Sequence, residues 1–255
     1  MQLNEVKALI TGGVSGLGLA VARKVVAGGG QAVLLDINDE AGAAAEAELG
    51  GAVTYVRTDV TSEEGVTDAV KLAVDHMGMV NAAINCAGII GAGRVLGREA
   101  PMALEFFSKV IQVNLVGSFN VIKAAGAAME SNPPGEDGER GVIISTASVA
   151  ATDGQIGQAA YSASKAGIVG MTLPVAREYA RIGVRVNAVA PGIFWTPMVD
   201  GMPEHIQESL SASIPFPSRL GKPEEYAELV AHIMENGYLN GETIRLDGAV
   251  RLAPK

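Results

Sequence analysis

Short apolar, β-branched runs alternate with longer helical patterns along the whole chain. This alternation predicts βαβ units, in which each helix crosses back over a parallel sheet. We therefore expect one α/β domain over residues 1–255, with a doubly wound parallel sheet of about seven strands and helices on both faces. The predicted strands are Val6–Thr11, Ala32–Asp36, Val53–Arg57, Val80–Asn85, Val142–Ser145, Val184–Ala190 and Thr243–Asp247. The predicted helices are Gly16–Ala27, Asp39–Leu49, Ser62–His76, Leu104–Met129, Ala159–Ile182 and Glu224–Asn236.

Composition removes several classes of protein. With 48% hydrophobic and 18% charged residues the chain should pack as a globule,. Its net charge of −9 argues against nucleic acid and against an anionic membrane as partners,. The single cysteine, Cys86, cannot form an internal disulfide, which fits a reducing compartment,. No targeting pattern or good membrane span is visible in the sequence, so we expect a soluble, cytoplasmic protein.

Three local patterns refine this outline. Thr61 and Glu64 have the spacing of a capping box at the start of the third helix,. The polar segment Ser131–Arg140 is typical of a surface loop. Residues 191–223 follow the sixth strand and match neither strand nor helix, and long loops at the carboxyl ends of parallel strands often hold ligands. We expect a substrate loop there.

A glycine motif ends the first strand and leads into the first helix. It reads Thr-Gly-x-x-x-Gly-x-Gly, with glycines at Gly12, Gly16 and Gly18. Such glycines allow a sharp turn, bring backbone N–H groups against a pyrophosphate, and let the helix pack closely on the strand. The motif predicts a dinucleotide site, and the alternative is an ordinary glycine-rich turn.

Asp36 ends the second strand, 18 residues beyond Gly18. An acid at about this offset accepts hydrogen bonds from the adenosine ribose and repels a 2′-phosphate. Neither Ser15 nor Ile37 supplies the basic group that a 2′-phosphate would favour. NAD is therefore expected rather than NADP, and the alternative is an aspartate of the loop before the next helix.

Tyr161 and Lys165 lie four residues apart at the start of a predicted helix, on the same face,. A fixed cation stabilises a phenolate, so we expect Lys165 to lower the pKa of Tyr161 toward the range of a general acid/base. A hydroxyl at the end of the fifth strand could orient a substrate oxygen. Ser145, Thr146 and Ser148 are all candidates for that role on composition alone.

Two further segments are candidates for the site. Asn85-Cys86-Ala87-Gly88 ends the fourth strand, where Gly88 leaves room for a dinucleotide and Cys86 is better explained as a small buried residue than as a reactive thiol,. Asn114 lies in an apolar helical run, so it either braces the helix or joins a network in the site. The three histidines lack the spacing of a metal site, and no metal is expected,.

Taken together these motifs resemble the short-chain dehydrogenase/reductase family over nearly the whole chain. The resemblance implies a Rossmann-type fold and hydride transfer with NAD. It selects Ser148 over Ser145 and Thr146 as the catalytic serine, with Asn114, Tyr161 and Lys165 completing a catalytic tetrad. It adds the Pro191-Gly192 pair that follows the sixth strand.

Within the family, the segments at 145–174, 215–221 and 239–248 are similar to the type-2 3-hydroxyacyl-CoA dehydrogenases, which are also described as 17β-hydroxysteroid dehydrogenases. That similarity implies fatty acid metabolism, an acyl-CoA substrate and a homotetramer. It implies substrate contacts from Ser148, Gln155 and Tyr161. The implied cofactor contacts are Gly12, Ser15, Gly16, Leu17, Gly18, Asp36, Asp59, Val60, Asn85, Cys86, Ala87, Gly88, Tyr161, Lys165, Pro191, Gly192, Phe194 and Thr196.

Other functions remain open at this point. Within the same chemistry, the chain could be a 3-oxoacyl-carrier-protein reductase or a dehydrogenase of steroids or other secondary alcohols. From another class, it could be a nonenzymatic NAD-sensing or scaffolding protein that has kept the fold.

Overall fold

The computed structural model describes residues 1–200 and 203–254, so Gly201 and Met202 of the predicted substrate loop lie outside the described residues. Within that part of the chain, seven parallel strands form one sheet in the order β3-β2-β1-β4-β5-β6-β7. The order reverses direction between β1 and β4. In open α/β sheets the ligand crevice lies beyond the carboxyl ends of the strands at this switch point.

The predicted α/β architecture is confirmed, and the observed strand ends differ by one or two residues from most of the predicted ones. The strands are β1 Lys7–Thr11, β2 Gln31–Asp36, β3 Val53–Arg57, β4 Ala82–Asn85, β5 Gly141–Thr146, β6 Val184–Pro191 and β7 Thr243–Leu246. The helices are α1 Gly16–Ala27, α2 Asp39–Leu49, α3 Glu63–Met77, α4 Leu104–Ile111, α5 Gly117–Met129, α6 Ala159–Tyr179, α7 Pro197–Asp200, α8 Glu204–Ala212 and α9 Pro223–Glu235.

The sheet is the middle layer of the domain, and its two faces carry separate hydrophobic cores. On one face α1 and α9 pack around Ile10, Leu34 and Ile84. On the other face α3, α5 and α6 pack around Leu9, Val33 and Ile143. Since side chains alternate across a strand, Leu9 and Ile10 point into opposite layers. Burial on both faces explains the continuous apolar strands seen in the sequence.

The predicted capping box at α3 is wrong by one residue. Thr61 donates its hydroxyl proton to Asp59 Oδ1 at 2.8 Å, and the Thr61 backbone N–H donates to the same oxygen at 2.9 Å. This turn occupies Thr61, and Ser62 becomes the N-cap, accepting a hydrogen bond from the Gly65 N–H at 3.0 Å.

The predicted helix over residues 104–129 contains an irregular turn. Gln112–Val116 form a π-helical turn between α4 and α5, and fully buried Asn114 lies within it. The stretch Leu104–Met129 is nevertheless 26 residues long, with a mean hydropathy of 1.2 in its most apolar window, so by length and composition it could cross a membrane. Half of that window is buried in the fold, which accounts for its apolar face.

The segment 191–223 contains more helix than expected. Two short helices, α7 and α8, lie within it, and Pro203 is the N-cap residue of α8. In contrast, Ser131–Arg140 is a loop as predicted, with one short 3-10 turn at Glu136–Gly138.

Candidate active site

The glycine motif forms a tight cradle between β1, α1 and the end of β4. Gly12 has a φ of +61°, and a Cβ there would lie 2.8 Å from the Ala87 nitrogen. A Cβ on Gly18 would lie 2.2 Å from the Gly12 carbonyl oxygen. Gly16 also has a positive φ of 49°. These contacts leave no room for side chains, so the backbone itself forms the surface of the cradle.

The N-terminus of α1 points its backbone N–H groups toward this cradle. Ser15 is the N-cap residue, and its side chain makes no capping hydrogen bond. The first N–H groups of a helix lack intrahelical acceptors and carry a partial positive charge, which makes them donors for a phosphate. Gly16, Leu17 and Gly18 supply that first turn. The cradle therefore fits the pyrophosphate of a dinucleotide.

Asp36 lies at the carboxyl end of β2, beside the glycine motif. Its Oδ1 accepts hydrogen bonds from the backbone N–H groups of Ile37 at 2.7 Å and Asn38 at 3.1 Å, which fix the carboxylate. The sequence analysis missed a basic residue nearby. Arg57 lies opposite Asp36 in the register between β2 and β3. Arg57 Nη1 is hydrogen-bonded to Asp39 Oδ2 and to the Ile37 carbonyl oxygen, both at 2.7 Å.

The segment after β4 borders the cradle on its other side. The Ala87 N–H donates to Thr11 Oγ1 at 3.2 Å, which ties this segment to β1. Asn85 is buried, and its amide donates to Ser145 Oγ at 3.1 Å. Its Oδ1 has no partner among the described residues, so a polar acceptor atom is available at the switch point. A Cβ on Gly88 would lie 3.2 Å from Asn114 Oδ1 and 3.7 Å from Lys165 Nζ, so this glycine borders both side chains.

The other predicted cofactor residues lie in the loops after β3 and β6. Asp59 is exposed and held by Thr61, while Val60 is buried, and its carbonyl oxygen accepts a hydrogen bond from Asn120 Nδ2 at 2.9 Å. Pro191 ends β6, and the Gly192 N–H donates to the Leu246 carbonyl oxygen at 2.9 Å. Phe194 is buried and bridges to Gly221. The Thr196 carbonyl oxygen accepts the N–H groups of Val199 and Asp200 at the start of α7.

The structure brings Ser148, Tyr161 and Lys165 together at the carboxyl ends of β4 and β5. Ser148 follows β5; its Oγ accepts a hydrogen bond from the Ala150 N–H at 3.1 Å, and the hydroxyl lies near enough to the Tyr161 phenol to influence its pKa. Tyr161 and Lys165 lie one turn apart on α6, with Lys165 Nζ 5.8 Å from the centre of the tyrosine ring. The competing hydroxyls point elsewhere. Ser145 contacts Asn85, and Thr146 contacts Tyr226 at 2.7 Å.

Burial controls the ionisation of this group. It raises the pKa of Tyr161, an effect that the nearby Ser148 hydroxyl partly offsets. It lowers the pKa of Lys165 to about 8, an effect that the nearby Cys86 partly opposes. The prediction that Lys165 lowers the pKa of Tyr161 is therefore wrong, because the fold raises this pKa. The sequence pattern gives the spacing of the two groups but not the loss of water around them, and desolvation favours the neutral form of each.

Asn114 braces the site from the π-helical turn. Its Oδ1 accepts the Ile89 N–H at 2.8 Å, and its Nδ2 donates to the Ile89 carbonyl oxygen and to Ser164 Oγ, both at 3.0 Å. Ser164 in turn donates to the Tyr161 carbonyl oxygen at 2.7 Å. Asn114 thus ties the segment after β4 to the helix that carries Tyr161. Sequence reasoning missed Ser164, whose place in the Tyr-x-x-Ser-Lys spacing could have indicated it.

Gln155 lies between Ser148 and Tyr161, where the C-terminal tail holds it. Gln155 Nε2 donates to the Ala253 carbonyl oxygen at 2.9 Å, and the Ile156 N–H donates to the Pro254 carbonyl oxygen at 3.0 Å. Arg245 from β7 also holds this segment, with Nη2 2.8 Å from Asp153 Oδ2. No sequence signal indicated that the tail reaches the site, because the contact joins residues about a hundred positions apart.

Comparisons with known proteins agree with this geometry. The family model for short chain dehydrogenases matches residues 6–207. The 3-hydroxyacyl-CoA dehydrogenases type-2 of Bos taurus and Homo sapiens are each 53% identical over 249 residues, covering 97% of this chain and 95% of theirs. The protein of the same name from Drosophila melanogaster is 50% identical over 248 residues, covering 96% of this chain and 97% of its own. The crystal structure of 3-hydroxyacyl-CoA dehydrogenase type-2 from Mycobacterium avium has a TM-score of 0.94 and 42% identity, covering 97% of this chain and 96% of that one.

Proposed function

The chain belongs to the short-chain dehydrogenase family, and we propose that it is an NAD-dependent oxidoreductase that interconverts 3-hydroxyacyl-CoA and 3-oxoacyl-CoA. The observation that carries this proposal is the cluster of Ser148, Tyr161 and Lys165 beside the glycine cradle. The relatives named above supply the acyl-CoA substrate class. Enzymes of this family typically use NAD or NADP as cofactor.

The four proposed catalytic residues divide the work. When bound, the nicotinamide supplies or accepts the hydride at C3 of the acyl group. Ser148 orients the substrate oxygen, and Tyr161 moves the proton. Since burial raises its pKa, Tyr161 holds its proton at neutral pH, which suits it as the general acid for reduction of the 3-oxo group,. Lys165 holds the nicotinamide ribose and, when charged, stabilises the phenolate as the proton leaves. Asn114 braces α6 and is proposed to anchor a water-mediated proton path.

A single substitution tests the catalytic assignment. Tyr161→Phe should abolish NADH oxidation with acetoacetyl-CoA while leaving NADH binding, followed by fluorescence, nearly unchanged. Tyr238→Phe is the matched control, because Tyr238 is fully exposed. Full activity of Tyr161→Phe would refute the role of the tyrosine. Normal NADH binding by the wild type without turnover of acyl-CoA, steroid or sugar alcohols would instead favour the nonenzymatic alternative.

NAD is proposed as the cofactor because of Asp36. Its backbone-anchored carboxylate can accept hydrogen bonds from a ribose 2′-hydroxyl and would repel a 2′-phosphate,. The nearby Arg57 guanidinium would favour a 2′-phosphate, although Asp39 forms an ion pair with it. Initial rates with NADH and NADPH on acetoacetyl-CoA test the assignment, and a clear preference for NADPH would overturn it. Rates with the matching acyl-carrier-protein thioester separate the carrier-protein reductase from the proposed function.

We further propose that the protein is a cytoplasmic homotetramer. The long helices leave several large apolar side chains exposed, among them Leu104, Phe119 and Leu173, with 74%, 48% and 42% exposure. Burial of such side chains against copies of the same helices would remove apolar surface from water. Sedimentation equilibrium measures the assembly, and cell fractionation tests the location, for which the lone Cys86 is the supporting observation.

A further inference from the structure

Tyr226 reaches from α9 to the end of β5, directly behind the catalytic group. Its side chain is fully buried, and its hydroxyl lies 2.7 Å from Thr146 Oγ1. Thr146 Oγ1 also lies 3.4 Å from Cys86 Sγ. Tyr226 Oη lies 3.9 Å from the same sulfur, so α9, β5 and the segment after β4 contribute a cluster of three polar side chains.

Both hydroxyls carry a proton, and either of them can donate in the hydrogen bond between Thr146 and Tyr226,. Burial raises the pKa of Tyr226 well above its ordinary value, so the phenol keeps its proton.

Thr146 is connected to two of the proposed catalytic residues, Lys165 and Ser148. Its carbonyl oxygen accepts a hydrogen bond from Lys165 Nζ at 2.7 Å. Ser148 follows it by two residues, after β5 has ended. The threonine side chain is therefore fixed by Tyr226, while its backbone fixes Lys165.

Tyr226 also contacts the opposite side of the crevice. Its ring meets Phe194 edge to face, with centroids 6.4 Å apart and planes at 85°. Phe194 lies in the loop after β6 and is a predicted cofactor contact. One buried side chain on α9 therefore contacts both the β5 end of the site and the loop after β6.

We propose that Tyr226 is a positioning residue for the dehydrogenase reaction, which holds Thr146 so that the Thr146 carbonyl oxygen keeps Lys165 in place. This inference rests on the proposed function, in which Lys165 is catalytic. A phenylalanine would fill the same core volume without a buried hydroxyl that needs a partner. The hydroxyl makes its hydrogen bond to the residue that holds Lys165.

The test compares tyrosine-to-phenylalanine substitutions at buried Tyr226 and at partly buried Tyr179. Tyr226→Phe removes the hydroxyl and keeps the ring against Phe194. Tyr179→Phe is the matched control, because that hydroxyl bonds the Ile122 carbonyl oxygen on another part of α5 and α6. We expect Tyr226→Phe to lower kcat for acetoacetyl-CoA reduction roughly 10-fold, with less than about a two-fold change in KM. Tyr179→Phe should lower neither, even if both variants lose thermal stability.

A second measurement needs neither substrate nor cofactor. NMR titration of lysine labelled with ¹³C at the ε carbon reports the pKa of Lys165, with its signal identified by loss in Lys165→Met. A carbonyl acceptor stabilises the charged amine, so loosening Thr146 in Tyr226→Phe should lower this pKa by about half a unit. Thr146→Val should have the same effect, and Thr146→Ser, which keeps the hydroxyl, should restore the wild-type value. If Tyr226→Phe fails to fold, the two Thr146 variants decide the question.

The outcomes separate this inference from the proposed function. If the wild type reduces acetoacetyl-CoA while Tyr226→Phe matches Tyr179→Phe in kcat and in the Lys165 titration, the positioning role is refuted and the function stands. If the wild type has no activity, the proposed function fails, and the Lys165 titration still decides whether Tyr226 positions the lysine. A Lys165 pKa equal in the wild type, Tyr226→Phe and Thr146→Val would overturn the inference.

Discussion

Replacing Lys165 by methionine should make the protein more stable at neutral pH while removing its activity. The ammonium is buried, and burial lowers its pKa from 10.5 to about 8. A shift of this size corresponds to about 3 kcal/mol that the fold spends below pH 8 on keeping a charge out of water. Methionine has a similar length and no charge. It also loses the hydrogen bond to the Thr146 carbonyl oxygen, which costs about 1 kcal/mol, so the net gain at pH 7 is about 2 kcal/mol,.

The pH dependence of this difference is the sharper test. The pKa of Lys165 is lowered in the folded state, so between about pH 8 and 10.5 the unfolded chain binds more protons than the folded one. Wild-type stability therefore rises with pH through that window, whereas Lys165→Met lacks this contribution. From pH 7 to pH 10 the advantage of the variant should shrink by about 2 to 3 kcal/mol. Packing terms cancel in this comparison because they do not depend on pH.

The assay is urea unfolding of both proteins at pH 7, 8, 9 and 10, at one fixed protomer concentration and without added cofactor. Lys71→Met, on the exposed side of α3, controls for the loss of one positive charge. If the free energies of unfolding of the wild type and Lys165→Met run parallel from pH 7 to pH 10, burial does not lower the Lys165 pKa, and the reasoning is refuted.

Three further substitutions test the glycine cradle, the Asn114 brace and the contact between Arg245 and Asp153. Gly18→Ala places a Cβ 2.2 Å from the Gly12 carbonyl oxygen, so it should cost about 1 to 3 kcal/mol of stability and weaken NADH binding at least about 10-fold. Gly51→Ala, where no atom lies within 4 Å, should change neither quantity appreciably, and normal NADH affinity in Gly18→Ala would contradict the cradle. Asn114→Ala removes three side-chain hydrogen bonds and should cost about 2 to 4 kcal/mol in urea unfolding, more than Asn120→Ala, which removes one,; equal losses would argue against the brace. Arg245→Met frees the segment at Asp153 and should raise the KM for acetoacetyl-CoA several-fold with unchanged NADH affinity, whereas Arg23→Met, in an exposed pair with Glu48, should not,. A KM equal to that of the control would mean that this segment does not form part of the substrate site.

The sequence predicted the parts of the fold that depend on local pattern. The order of strands and helices follows from apolar periodicity, and the glycine cradle follows from spacing, because both are local properties of the chain. The details that failed were decided by competition between neighbouring residues. Asp59 takes the hydroxyl of Thr61, and this moves the cap of α3 to Ser62. Patterns of residue type cannot rank two such hydrogen bonds against each other.

Contacts between distant segments were also beyond the sequence. Tyr226 lies 80 residues from Thr146 in the chain, and Gln155 lies 98 residues from Ala253. Neither pair carries a motif, so the positions of Tyr226 and the C-terminal tail emerge only when the sheet brings β5, β7 and α9 together. The family resemblance selected Ser148 from three hydroxyls. The structure adds a physical reason for that choice, since Ser145 contacts Asn85 and Thr146 contacts Tyr226, whereas Ser148 lies near the Tyr161 phenol.

The ionisation of Tyr161 and Lys165 connects these observations. Burial favours the neutral form of both groups, so the fold raises the pKa of the tyrosine and lowers that of the lysine. The ordinary pKa values of the phenol and the amine, 10.0 and 10.5, lie close together, and the two shifts move them apart, so that Tyr161 holds its proton more tightly than Lys165 does,. Burial of the amine destabilises the fold, and apolar burial in the two cores on either side of the sheet offsets this loss. A site of this kind should become more stable when Lys165 is removed, which is why the stability of Lys165→Met tests the catalytic geometry as directly as its activity does.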